Sequence, residues 1–365
     1  MNLAGNLNIV QPLPGILVEL DAESSGWRRL MDRIRCGVIG LGWFGEHHVD
    51  TFKQLPQAEL TAVCTRNPER LREVAAKYGV SQTYTDYREL LANPDIDLVS
   101  IVTHVGDHLE PTLAAIRAGK HVFLEKPMAD TVEACDQILA ALKSTDRAFM
   151  VGHICRFDTV YALAKEGIAA GKLGRIIRLH ARRNLAKWIT ESHLPKISAL
   201  FGDGVHDLDL MLWFTGAKPK SVYAQTSNSR PHLPHDDLGW AMFRLDDGAI
   251  AVIENVWCLP ENAPFAIDAR MEIIGTEGAI YIDNSGSQYT LLTKNGLSYP
   301  QSTYWPKVHG LRRGYLKEEL DYFLKCVLAG ETPSVITPQE SRDVVHAMLM
   351  AELSARENRL IEFAP

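Results

Sequence analysis

From Arg35 to Gly152, short apolar runs alternate with stretches whose apolar residues recur at helical spacing. The runs CGVIG, LTAVCT, IDLVSIVT, HVFLE and AFMVG are rich in Val, Ile and Leu and too short for buried helices, so they predict strands covered on both faces. Between them, PERLREVAAKYG opens on Asn67 and Pro68, DYRELLAN follows Asp86, and DTVEACDQILAALKSTD comes after Pro127. Asn, Asp and Thr at these starts can accept hydrogen bonds from the unpaired amides of a first turn. Strand and helix in regular alternation predict a parallel sheet with right-handed crossovers.

After Gly171 the rhythm changes. GRIIRLHARRN, SVYAQTSN, LGWAMFRLDDGAIAVIENVWC, ARMEIIGTEGAIYID and QYTLL alternate apolar with polar residues around turn pairs such as Asp247-Gly248 and Glu277-Gly278. Such a period of two predicts a large, mainly antiparallel open sheet with one face covered. Helical spacing returns in GYLKEELDYFLKCVLAG and again from Thr337, with Pro338 in the first turn, to about residue 357. The fold class is therefore α/β, with a doubly wound parallel sheet over residues 35–155 and a second α/β domain over 156–365. Residues 1–34 read as an extension, either an ordered cover or the product of a start codon upstream of Met31.

The first strand runs into Gly40-Leu41-Gly42-Trp43-Phe44-Gly45 and then a helix. In a Rossmann unit the first glycine of G-x-G-x-x-G makes the tight turn, the second admits a pyrophosphate to the backbone, and the third lets the helix approach the strand. Helix N-terminal amides then hold the diphosphate. An acid that would grip an adenosine ribose belongs about 20 residues further on. Thr65 and Arg66 occupy that place instead, and a hydroxyl with a guanidinium suits a 2′-phosphate, which favours NADP over NAD. A solvated or adenine-stacked Arg66 is the alternative.

In a doubly wound sheet the ligand lies at the carboxyl ends of the strands, which directs Thr103, His104, His108, Glu125 and Lys126 toward the nicotinamide half. The residue before a proline is pushed to extended geometry and an X-Pro bond can be cis, so Pro127 fixes the direction of Lys126. In FGDGVHDLDLMLWFTG the apolar spacing of Val205, Leu208 and Leu212 predicts a helix after a glycine-rich lead-in, with His206 in its first turn. The positive end of a helix lowers a histidine pKa, which suits a proton acceptor at neutral pH. Lys126 and His206 are thus the expected catalytic pair.

Together GVIGLGWFG, HVFLEKPMA, GHICRFDTVYALAKEGIAAGKLGRI and GDGVHDLDLMLWFTG resemble the glucose-fructose oxidoreductase, inositol dehydrogenase and MocA (Gfo/Idh/MocA) family, from about Arg35 to the C-terminal helix. The resemblance implies an N-terminal Rossmann domain and a C-terminal α/β domain whose open sheet carries the substrate site and commonly the oligomer interface, in a dimer or tetramer. It implies NAD(P)-linked oxidation or reduction of a sugar, inositol or related polyol. Lys126 matches the lysine that orients the substrate and touches nicotinamide, His206 the catalytic histidine of D-x-G-x-H-x-x-D, and Asp209 its last acid. The first acid does not match: Gly202 stands four residues before His206, and an aspartate follows at Asp203. Either Asp203 serves through a small shift, or the chain lacks that group. The T-P-x-x-x-H stretch departs as well, with His104 after Thr103 in place of proline. Arg156, Trp188 and Asp203 are expected substrate contacts, with a junction salt bridge and a packed indole the alternatives for the first two.

Composition narrows the partners more than the chemistry. A formal net charge of -7 gives no attraction to phosphate backbones or anionic lipid, so nucleic acid and membrane are not expected partners. The six cysteines are scattered without a C-x-x-C pair, which predicts neither a metal site nor a dithiol switch and fits a cytoplasmic protein. Two other functions fit the same fold: glycoside cleavage or elimination with a recycled cofactor, and a non-catalytic dinucleotide-binding regulator.

Overall fold

The structure is a computed structural model that describes residues 33–191, 196–285, 289–300 and 302–363. The expected extension therefore lies, up to residue 32, outside the described residues. Strands β1 (Ile34–Ile39), β2 (Ala58–Cys64), β3 (Gln82–Tyr84), β4 (Leu98–Ile101), β5 (His121–Glu125) and β6 (Phe149–Gly152) form one sheet in the order β3-β2-β1-β4-β5-β6. Every pairing in it is parallel. The order reverses beside β1, which is where this architecture opens a crevice at the strand ends. Sequence periodicity misses only β3, whose three residues are too few to show a period.

Caps form as their residue types dictate. Asn67 accepts from the amides of Glu69 and Arg70, Asp86 from Arg88, and Thr131 from Ala134. Thr337 and Glu340 close a reciprocal capping box at the start of the helix Pro338–Glu357.

The second sheet contains β7 (Ile176–Ala186), β8 (Pro219–Ser227), β9 (Leu238–Leu245), β10 (Ile250–Leu259), β11 (Ile267–Gly275) and β12 (Ala279–Asp283), with the C-terminal strand Ile361–Glu362. Its order is β12-β11-β7-β10-β9-β8 followed by that last strand. The expected antiparallel character holds for most pairs, but β7 and β10 run parallel at the centre, so the sheet is mixed. QYTLL does not join it: Leu291–Thr293 pairs with Gly296–Ser298 in a separate hairpin. Along β9 the side chains alternate, Ala241 and Phe243 buried against Trp240 and Met242 exposed. The buried face lies under the helices Ala199–Thr215 and Pro338–Glu357.

The helix Tyr315–Ala329 joins the two sheets' surroundings. Its Phe323 packs edge-on against Phe123 of β5 with ring centroids 5.7 Å apart, and both rings are fully buried. Truncating such a ring to alanine costs about 3–5 kcal/mol. No helix among the described residues is long and apolar enough to cross a membrane.

Candidate active site

At the end of β1 the chain turns through Gly40 at φ +97°, where a Cβ would lie 2.4 Å from the Val102 carbonyl oxygen. A Cβ on Gly45 would lie 1.9 Å from the Gly40 oxygen. Gly42, by contrast, faces open space, and the helix Trp43–Phe52 that follows begins without a side-chain cap. Its first amides are thus left for an anion. Leu41 is buried and its carbonyl accepts from Arg70 Nε at 2.8 Å, while Phe44 packs edge-on to His48 and the exposed Trp43 edge-on to Trp305. Backbone forms the cradle; these three side chains brace it. The residues present fit a dinucleotide diphosphate.

Beyond β2, Thr65 donates its amide to Tyr84 O at 3.2 Å. Arg66 is exposed but not alone: its guanidinium donates to Asp107 Oδ2 at 2.7 Å. Asp107 lies in the turn after β4 that also carries Thr103, whose hydroxyl donates to Asp107 O at 3.1 Å, and the exposed His104. Two residues expected against the cofactor turn inward instead. His108 is buried, its ring nitrogens 2.9 Å from Pro127 O and 3.1 Å from Thr103 O, so it ties the loops after β4 and β5 together. Burial lowers its pKa. Glu125 is also buried, with Oε1 3.1 Å from His48 Nε2 and Oε2 accepting from the Lys126 amide. Both brace these loops.

Lys126 follows β5, with a cis bond to Pro127. Its ammonium donates to Gly202 O at 2.9 Å and lies 3.6 Å from Asp203 Oδ1. The helix carrying those partners differs from the expectation. It starts at Ala199, capped by Ser198 through the Phe201 amide, so His206 sits two turns inside rather than in the first turn. Helix polarity therefore does not set its basicity. Burial does, and the positive charges of Lys126 and Arg183 beside it add to that, so the His206 pKa falls well below its ordinary value. His206 Nε2 lies 3.9 Å from Asp203 Oδ1, and Nδ1 lies 3.7 Å from Cys155 Sγ. Burial pushes the Cys155 thiol up to about 12. In the tautomer whose Nδ1–H points at that sulfur, Nε2 is the basic nitrogen, on the side of Asp203.

Arg156, expected beside the substrate, has protein partners around its guanidinium. Its guanidinium donates to both oxygens of Asp209, at 2.9 Å and 2.7 Å, and further to Val335 O and Glu340, with the side chain buried. That is the junction salt bridge, and it uses the last acid of the motif for structure. Arg183 and Asp207 form a second buried pair that binds the His206 helix to β7. Trp188 is exposed on the short helix Lys187–Thr190, whose Thr190 hydroxyl donates to Trp257 O at 2.9 Å. Trp257 itself, unnoticed in the sequence, donates Nε1–H to Asp203 Oδ2 at 2.7 Å. The period of β10 could have exposed it, since Ala251, Ile253, Asn255 and Trp257 share the buried face. Cys155 had no such signal.

Residues 34–153 match the family model described as oxidoreductase family, NAD-binding Rossmann fold, and residues 161–281 match the GFO/IDH/MocA C-terminal domain. The chain is 30% identical over 313 residues to the myo-inositol 2-dehydrogenase of Thermotoga maritima, covering 83% of this chain and 90% of that one. The chain belongs to the Gfo/Idh/MocA oxidoreductase family. Another relative in it, the scyllo-inositol 2-dehydrogenase (NAD(+)) of Bacillus subtilis, is 30% identical over 311 residues, 83% of this chain and 89% of that protein. Among solved structures, the myo-inositol 2-dehydrogenase of Lactobacillus plantarum superposes with a TM-score of 0.80 at 25% identity, across 91% of this chain and all of that one. Within this Gfo/Idh/MocA member, Lys126, just past β5, and Asp203, on the helix Ala199–Thr215, are 77 positions apart in the chain and 3.6 Å apart in space.

Proposed function

We propose that this enzyme is a dehydrogenase of a cyclitol or related sugar polyol, with residues 35–155 holding the cofactor and 156–365 the substrate. The convergence of Lys126 Nζ and His206 Nε2, each within 4 Å of one Asp203 oxygen, carries it. A substrate hydroxyl beside that oxygen accepts a hydrogen bond from the Lys126 ammonium and gives its proton to His206 Nε2. As negative charge grows on the substrate oxygen, the ammonium stabilises it. Bound nicotinamide supplies the hydride acceptor for oxidation and the donor for reduction. The Gly40–Gly45 cradle and the first amides of Trp43–Phe52 would hold its diphosphate, and Thr65, Arg66, Thr103 and His104 line the loops beside it. Relatives named for inositols support the substrate class.

The cofactor we propose is NAD, which reverses the lean toward NADP given by Arg66 in sequence alone. Asp107 neutralises that guanidinium and would set a carboxylate against a 2′-phosphate. A homo-oligomer is proposed through the outer face of the second sheet, where Tyr223, Trp240, Met242 and Tyr281 are exposed. All six cysteines are free thiols, five of them buried, which supports a cytoplasmic location.

The test is turnover of myo-inositol, scyllo-inositol and a panel of aldoses with NAD or NADP, read as absorbance of reduced cofactor. Wild-type turnover with NAD is expected, and Lys126→Met should lose about a hundredfold or more in kcat, as removal of an oxyanion donor does. Binding of NADH without turnover of any polyol would refute the assignment.

A further inference from the structure

D-x-G-x-H-x-x-D requires an acid at position 202, where this chain has glycine, and an acid follows at Asp203. The reason lies across the helix on β10. A Cβ on Gly202 would come within 2.6 Å of Trp257 Cη2 and 2.8 Å of Cζ2, closer than side chains pack. Trp257 is 4% exposed and its indole is hydrogen-bonded, so it has nowhere to swing. While it stands there, position 202 has no room for an acid.

On a helix the residues three and four positions before a given residue both lie beside it. An acid moved from 202 to 203 therefore remains next to His206 but begins roughly 100° further round the axis. Its carboxylate needs a second hold to face the site. The Trp257 indole gives it: with Oδ2 held at 2.7 Å, Oδ1 is left 3.6 Å from Lys126 Nζ and 3.9 Å from His206 Nε2.

Resting on the dehydrogenase function proposed above, we propose that Asp203 is the acid partner of Lys126 and His206 in this chain and that Trp257 is the positioning residue that aims it. Glycine at 202 is the space the indole requires. When the substrate proton moves to His206 Nε2, the imidazolium forms beside the Asp203 carboxylate, which stabilises that ion. The three residues act as one unit: Trp257 fills the place of the absent acid and directs the acid next to it.

The test uses the full chain, NAD and whichever polyol of the panel the wild type turns over fastest. Trp257→Phe keeps an aromatic side chain and removes the N–H together with the second ring of the indole. It should lower kcat about tenfold, as loss of one hydrogen bond to a charged group does, with KM changed less than kcat. Asp203→Asn should lose more. Without the aimed carboxylate the imidazolium is less stable, so the rise of kcat with pH should begin at lower pH in both variants. A purely structural role for Trp257 leaves that limb where it is, and an unmoved limb would overturn the inference. The exchange Gly202→Asp with Asp203→Gly should be inactive beside Trp257 and recover at least tenfold when Trp257→Ala is added. Full activity of the exchange with Trp257 in place would also overturn it. Melting temperature and NADH binding identify variants that have merely unfolded. Should the wild type turn over no polyol, the dehydrogenase proposal fails on its own. Histidine-selective NMR titration then decides the positioning: a fall of the His206 pKa in both variants supports it, and no change refutes it.

Discussion

Arg66 and Asp107 meet across 41 positions of chain, and under the proposal of NAD their pairing weakens the arginine's pull on a 2′-phosphate. Alone, a guanidinium at the end of β2 invites a 2′-phosphate; paired, it is neutralised. Because the pair is largely exposed, its energy is small and screened, of the order of 0.2–1 kcal/mol. Asp107→Asn should therefore shift the ratio of kcat/KM for NADP over NAD upward by only about two- to fivefold, measured by initial rates with both cofactors. An unchanged ratio would remove Asp107 from cofactor choice. At this scale the sequence pointed to candidates for the chemistry more readily than to what each one touches. Lys126 and His206 were legible because a proline and a helical spacing surround them. Arg156 was not, because its partner Asp209 is 53 positions away and a guanidinium looks alike beside a carboxylate or a sugar.

The helix Tyr315–Ala329 carries a buried acid with no chemical task in the proposed reaction. Glu319 is fully buried, neither carboxylate oxygen has a hydrogen-bond partner among the described residues, and burial with the charges of Glu125 and Asp209 raises its pKa well above the ordinary carboxylate value. Since the folded pKa is raised, the folded state holds the proton more tightly than the unfolded one. Stability from this group is then complete below the unfolded pKa and is lost as pH rises toward the folded value. Glu319→Gln, which mimics the protonated acid, should melt higher than wild type at pH 8 and differ little at pH 4. Thermal denaturation at both values checks this; a gap that narrows with rising pH would contradict it. Element starts were readable from Asn67, Asp86 and Thr337, whose side chains cap locally. The His206 helix was not, because two glycines at 202 and 204 argue against helix by propensity. Contacts decide otherwise: those glycines let the helix lie against Trp257 and Asn255.

For the whole molecule, alternation along β8 to β11 gave which side chains face in, and the buried and exposed sets follow it. Alternation says nothing about which strand lies beside which, so the parallel pair β7 and β10 stayed hidden. Across the outer face, Tyr223 stands opposite Met242 on the neighbouring strand. Met242 itself is half exposed in this chain taken alone. If that face joins copies, Met242→Glu should reduce the mass seen by sedimentation velocity while leaving the melting temperature nearly unchanged, as a surface substitution does. An unaltered mass would place the interface elsewhere.

Gly202 against Trp257 also constrains how such a site can change by descent. An acid gained at 202 collides with the indole, an acid lost from 203 leaves Lys126 only the Gly202 carbonyl, and loss of the indole unaims the acid that remains. Each single step is harmful, although the completed set of changes is not. Descendants of this chain would be expected to keep all three residues or to replace them together, and a variant library made one position at a time would find none of the working alternatives.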